Sequence, residues 1–199
     1  GLIVPLGEWI MRNAIMQAAC WPDNQRVAIN LSPIQMRSPR LMAQVVTAIA
    51  HTGIDPSRIE LEITENVLMQ DSEANVALLY KLRELGVRIS LDDFGTGYSS
   101  LNYLRSFPFD KIKIDKCFIT DLETRDDCKA IVRAVTSLAG TLGMDTVAEG
   151  VEREEQLEWL RANGKGGTRD GRVFEWDDER NWALVSALMG QDRVPVQYL

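Results

Sequence analysis

In Arg88-Ile-Ser-Leu-Asp-Asp-Phe-Gly-Thr-Gly-Tyr-Ser-Ser100, an apolar run ends in two adjacent carboxylates, Asp92 and Asp93, and then turns through Gly95 and Gly97. Two acids fixed at a strand end make a site for a hard cation, because such ions prefer carboxylate oxygens. Polar groups recur at comparable places along the chain: Asn30, then Glu62 and Glu65, then Lys113 and Asp115, then Glu149. Each alone has a structural explanation. Asn30 before Leu-Ser-Pro could cap the next turn. Period-two alternation in Ile-Glu-Leu-Glu-Ile-Thr-Glu puts Glu60, Glu62 and Thr64 on one face, and an exposed sheet face accounts for that equally well. Lys111, Lys113 and Asp115 alternate with Ile112 and Ile114 in the same way, as a surface salt bridge would require. Together these residues favour a shared site, since polar groups collected at the same end of successive parallel strands mark where α/β barrels and open α/β sheets bind ligands.

The elements that must position these groups are short β-rich runs alternating with amphipathic helical stretches, the pattern of parallel strands joined by helical crossovers. The fold class is α/β. Strands are expected at Val27–Leu31, Ile59–Thr64, Val87–Leu91, Lys111–Asp115 and Thr146–Val151. Helices are expected near Pro5–Ala19, Arg40–Thr52, Ser72–Leu85, Arg125–Leu142 and Arg153–Ala162. Gly53, Gly86, Gly143 and Gly164 follow helical runs, where a left-handed C-terminal cap belongs. Trp9, Met11 and Met16 fall at helical spacing and read as core.

The 199 residues, 45% hydrophobic, suffice for one domain with a real core, and no linker divides them. A net charge of -7 gives no support for broad adhesion to nucleic-acid duplexes or anionic membranes, so an anionic substrate needs a local cation. Cys20, Cys117 and Cys128 are odd in number without Cys-x-x-Cys spacing, which argues against a disulfide framework or a zinc knuckle and for a reducing compartment. No apolar run approaches a membrane span, and the first residues lack the basic flank of a signal peptide. A soluble, cytoplasmic protein is the expectation. His51 is the single histidine, so Ser-His-Asp and zinc chemistry are remote.

Asn30-Leu-Ser, Glu62-Ile-Thr-Glu65, Asp92-Asp-Phe-Gly-Thr-Gly-Tyr-Ser-Ser100, Lys113-Ile-Asp115 with Phe118, and Val147-Ala-Glu-Gly-Val-Glu152 resemble the EAL-domain family in order and spacing, from about Gly1 to Gly164. The resemblance implies a TIM-type (β/α)8 barrel that hydrolyses the bacterial second messenger cyclic di-GMP to linear pGpG with Mg2+ or Mn2+. It implies that Asn30, Glu62, Asp92 and Asp93 are metal ligands, Asp92 bridging two ions. Lys113 would sit beside the attacking water and the scissile phosphate, and Glu149 would serve as general base or as a ligand to the water. Asp115 and Glu152 would complete the polar floor. Gly95 to Ser100, including Thr96 and Gly97, would form a loop beside the ions, steadied by Glu65. The family also suggests a homodimer and upstream sensory or GGDEF domains.

The departures are as informative. No Glu-Ala-Leu occurs in the sequence; in the family this segment, whose Glu is a metal ligand, belongs upstream of Gly1, so the barrel is expected to be incomplete at both ends. After Asn163 the sequence runs into Gly-Lys-Gly-Gly-Thr-Arg-Asp-Gly-Arg-Val-Phe-Glu-Trp176, with nothing like the family's Gln-Gly-Tyr strand. The expected division is therefore an EAL-like domain at 1–164 and a divergent tail at 165–199, its abrupt start suggesting a shifted reading frame or recombination. In the tail, Arg172–Trp176 suits a strand and Asn181–Met189 a short helix, and Lys165, Arg169 and Arg172 among glycines suit a connector better than a phosphate loop. An enzyme missing one ligand and a catalytically inactive module binding cyclic di-GMP or a protein partner are both compatible with this sequence.

Overall fold

The computed structural model describes residues 2–22, 25–65, 67, 72–95, 104, 107 and 109–163. In chain order these form α1 (Ile3–Ala18), β1 (Val27–Leu31), α2 (Pro33–Met36), α3 (Leu41–Thr52), a 3-10 turn (Pro56–Arg58), β2 (Ile59–Thr64), α4 (Ser72–Glu84), β3 (Arg88–Phe94), β4 (Lys111–Ile114), α5 (Lys116–Thr120), α6 (Asp126–Leu142), β5 (Asp145–Ala148) and α7 (Glu154–Asn163). The expected tail elements lie outside the described residues, as do Gly164, Thr96 and Gly97.

The described strands make one parallel sheet in the order β1-β2-β3-β4-β5. Each strand pairs with its neighbour in sequence, so the order never reverses, as it must in a doubly wound sheet. With crossovers of one hand, the helices then fall on one face and the sheet curls as consecutive staves of a (β/α) barrel. The helix-facing side carries Ile29, Leu31, Ile59, Leu61, Ile63, Ile89, Leu91, Ile112 and Ile114, all buried. Against it α1 presents Met11, Ala14, Ile15 and Ala18, one apolar stripe at helical spacing.

That stripe corrects an expectation. Trp9 and Met16 lie on the opposite side of α1 and are 46% and 42% exposed, so of the three residues at helical spacing Met11 alone is core. Arg58 ties the start of the sheet together: its buried guanidinium donates to the carbonyls of Gln25 at 2.8 Å, Ala18 at 2.7 Å and Trp21 at 3.2 Å. Gly53, Gly86 and Gly143 have positive φ after their helices, as expected of C-terminal caps.

The strand ends shift from the sequence expectation in three places. β3 runs on through Asp92 and Asp93 to Phe94, β4 stops at Ile114, and β5 stops at Ala148. Asp115 leaves the sheet because it caps α5, accepting from the Cys117 amide at 2.8 Å. The short helices α2 and α5 were not expected, being too brief to show a period. Ser32, not Asn30, caps α2, in a reciprocal box with Gln35.

Candidate active site at the strand ends

The sheet face away from the helices holds the polar residues of the alternation. Glu60 and Glu62 are 2% and 4% exposed, which rules out the solvent-facing reading. In a regular strand adjacent residues point to opposite faces, so Asp92 and Asp93 could not both serve one site. The register resolves this: Leu91 pairs with Ile112 and Phe94 with Ile114, leaving two aspartates opposite the single residue Lys113. This is a β-bulge. Asp93 takes φ of 53°, the left-handed region that aspartate tolerates better than most residues. The extra residue turns the second carboxylate back toward the first, and oxygens of Asp92, Asp93 and Glu149 come within 4.8 Å of one another.

Lys113 rises from β4 into this group. Its Nζ lies 2.6 Å from Glu149 Oε1, 3.1 Å from Asp92 Oδ1 and 3.2 Å from Glu62 Oε1. The surface salt bridge allowed by its sequence pattern is thus a buried one. Four carboxylates, Glu62, Asp92, Asp93 and Glu149, against one ammonium leave a surplus of three negative charges at full ionisation, 4 − 1. The titrations reflect that excess. Burial, with Asp92 and Glu60 nearby, pushes the Glu62 carboxyl up to about 7 despite Lys113. Burial and the facing Asp92 and Asp115 raise Asp93 as well. Lys113 is held charged: burial works against its ammonium, but Glu62, Glu149 and Asp92 outweigh it.

An all-oxygen donor set of this kind, short of positive charge and raised in proton affinity, fits a hard divalent cation such as Mg2+ or Mn2+. Asp92, Asp93 and Glu149 offer the converging atoms, with Glu62 joined to them through Lys113. Asn30 stands across from Glu62 in the β1–β2 register and is exposed on the outermost described strand.

Of the remaining expected residues, Glu65 is buried just past β2, and Gly95 closes the β3 turn at φ of 98° under the ring of Phe118. Asp115 caps α5 and its carboxyl is hydrogen-bonded to that of Asp93, which ties it to the edge of the cluster. Glu152 has an exposed side chain, and its backbone amide donates to Gln156 Oε1 at 2.9 Å. Sequence reasoning passed over a second charged layer on the same sheet face. Glu60 Oε1 lies 2.8 Å from Lys111 Nζ, and Arg88 reaches Asp145 at 3.0 Å and Glu60 at 3.7 Å. The period-two alternation that located Glu62 and Lys113 carries the signal for this layer too.

Comparison with known proteins agrees with this geometry. The EAL domain family matches residues 1–165. Protein y4lL of Sinorhizobium fredii is 52% identical over 164 residues, covering 82% of this chain and 20% of that protein. The bifunctional diguanylate cyclase/cyclic di-GMP phosphodiesterase MucR of Pseudomonas aeruginosa is 43% identical over 168 residues, 82% of this chain and 24% of its own length. The solved structure of the MucR phosphodiesterase in complex with cyclic di-GMP superimposes with a TM-score of 0.79, covering 82% of this chain and 68% of that one. A manganese/cyclic di-GMP complex of Klebsiella pneumoniae BlrP1, 30% identical, gives 0.75 over 83% of this chain and 42% of BlrP1. The chain thus spans only a fifth to a quarter of the curated relatives' length. With sequential parallel strands, polar groups at their C-terminal ends and the match over residues 1–165, the chain belongs to the EAL domain family and has its TIM-type barrel fold.

Proposed function

We propose that residues 1–164 carry EAL-type phosphodiesterase chemistry: metal-dependent hydrolysis of cyclic di-GMP to linear pGpG. The observation that carries this reading is the β3 bulge, which brings Asp92 and Asp93 together opposite Lys113 and within reach of Glu149. Asn30, Glu62, Asp92 and Asp93 would hold Mg2+ or Mn2+. When bound, these ions would acidify water and neutralise charge on the phosphodiester.

The chain's own residues do the rest. Water adds to one phosphorus of the ring as the P–O3′ bond breaks; the water's proton leaves for a base and the 3′ oxygen ends protonated. Glu149, 2.6 Å from Lys113, would take that proton. Lys113, held charged by its carboxylates, offers its ammonium to the phosphate oxygens.

The test is incubation of this chain with cyclic di-GMP and Mn2+ or Mg2+, with pGpG followed by chromatography. Turnover should appear and be lost in Asp92→Asn; equal rates in both proteins would sink the proposal. The position of Asn30, exposed on the outermost described strand, favours a second reading, a module that binds cyclic di-GMP without cleaving it. Calorimetric binding at micromolar concentration with no pGpG formed would select it.

A further inference from the structure

Glu149 must be aimed at Lys113, yet it sits in a turn beyond the last residue of β5. The near end of that turn is fixed by the sheet, the Glu149 amide donating to the Ile114 carbonyl at 3.1 Å. The far end is fixed by one buried side chain. Gln156, 2% exposed, accepts from the amides of Glu152 at 2.9 Å and Arg153 at 3.0 Å. Its Nε2 donates to the Ile119 carbonyl in α5 at 3.0 Å. Both acceptor positions and one donor of this amide are therefore used, and they join two elements.

The element reached is not incidental. α5 lies between the two turns that carry the carboxylates. On one side Phe118 covers Gly95, so closely that a Cβ there would come 2.8 Å from the ring, and Asp115 faces Asp93. On the other, a Cβ on Gly150 would come 2.7 Å from Lys116 Cβ. A shift of α5 would displace both turns.

Building on the proposed phosphodiesterase site, we infer that Gln156 is a positioning residue: it clamps the Glu149 turn to α5 and so holds Glu149 against Lys113, Asp92 and Asp93. A purely local alternative exists, since Gln at this place in α7 also reaches back to the Arg153 amide just before the helix, as half of a capping box. The Ile119 bond separates the two. Glutamate caps as well as glutamine does, and two amide donors favour its ionised form, but a carboxylate has no proton to give Ile119.

The test compares the full chain with Gln156→Ala, Gln156→Glu and Arg153→Ala, the last an exposed tie from the same turn to Thr120 O and Glu123. Metal-free hydrogen exchange and Mn2+ binding by electron paramagnetic resonance are the readouts. In both Gln156 variants, amides of residues 116–120 and 149–151 should exchange roughly tenfold faster, the loss of one buried hydrogen bond. Mn2+ should bind about 10- to 100-fold more weakly, as when the support of a ligand is removed. Arg153→Ala should stay within about twofold, exposed ion pairs being weak. Wild-type behaviour of Gln156→Glu, or faster exchange confined to α7, overturns the clamp and leaves a cap. Should the unaltered chain bind no Mn2+, the proposed function fails, while exchange still decides the clamp.

Discussion

Glu62 shows how much chemistry one buried carboxyl can report. Its pKa, pushed up to about 7 chiefly by burial, lies above the ordinary value of 4.5, so the metal-free folded chain holds a proton that the unfolded chain gives up. Because the folded value is the higher one, this group costs the metal-free fold stability as pH rises from 4.5 to about 7, with the full cost above that. A cation ligated by Glu62 must displace the same proton. Mn2+ affinity should therefore climb between about pH 6 and about pH 8, with proton release on binding. Calorimetric titrations in two buffers of different ionisation enthalpy measure that release, which Glu62→Gln should diminish. Identical heats in both buffers would contradict the assignment. Lys113 cannot supply the effect, as its neighbours keep it charged.

At the level of elements, the turns after β3 and β5 show what the sequence could and could not convey. Ile-Glu-Leu-Glu-Ile-Thr and Lys-Ile-Lys-Ile state their faces by alternation, and the structure places Glu62 and Lys113 accordingly. Adjacency marks Asp92 and Asp93 as a pair, but in a regular strand they would point to opposite faces; only the pairing partner reveals the bulge that brings them together, and no single strand encodes its neighbour's register. Glu152 is similar: motif spacing gives its place in the chain, whereas the turn's path, which exposes its side chain and uses its amide, is set by contacts with α7. The same turn makes a demand on its glycine. Gly150 has φ of 69° and no room for a Cβ beside Lys116. Gly150→Ala should cost at least the 1–2 kcal/mol of an L-residue in left-handed conformation, roughly, plus the displacement of Lys116. A lower melting temperature and a smaller kcat at temperatures where the variant is folded are expected; an unchanged melting curve would refute the argument. Gly53, also at positive φ but with open space around it, should show the conformational cost alone.

Across the whole molecule, the sheet divides its polar face into two levels. The upper level, Glu62, Asp92, Asp93, Lys113 and Glu149, is electrostatically unbalanced, with acids exceeding bases. The lower level, Glu60, Arg88, Lys111 and Asp145, has two acids and two bases joined by ion pairs. Barrels keep chemistry at the C-terminal ends of strands and stability at the other, and the charge balance here follows that division. The lower level should therefore answer to the rule for buried ion pairs. Removing one partner leaves a buried charge uncompensated, while removing both is far less harmful. Lys111→Met, stranding Glu60 beside an Arg88 already engaged with Asp145, should destabilise by about 3–5 kcal/mol in urea unfolding. Lys111→Met with Glu60→Met should recover most of that loss. Mn2+ affinity should change little in the double variant, because no group of the upper level has been removed. If Mn2+ affinity fell in step with stability, the two levels would be one coupled network, and the separation of a reacting end from a supporting end would be wrong for this chain.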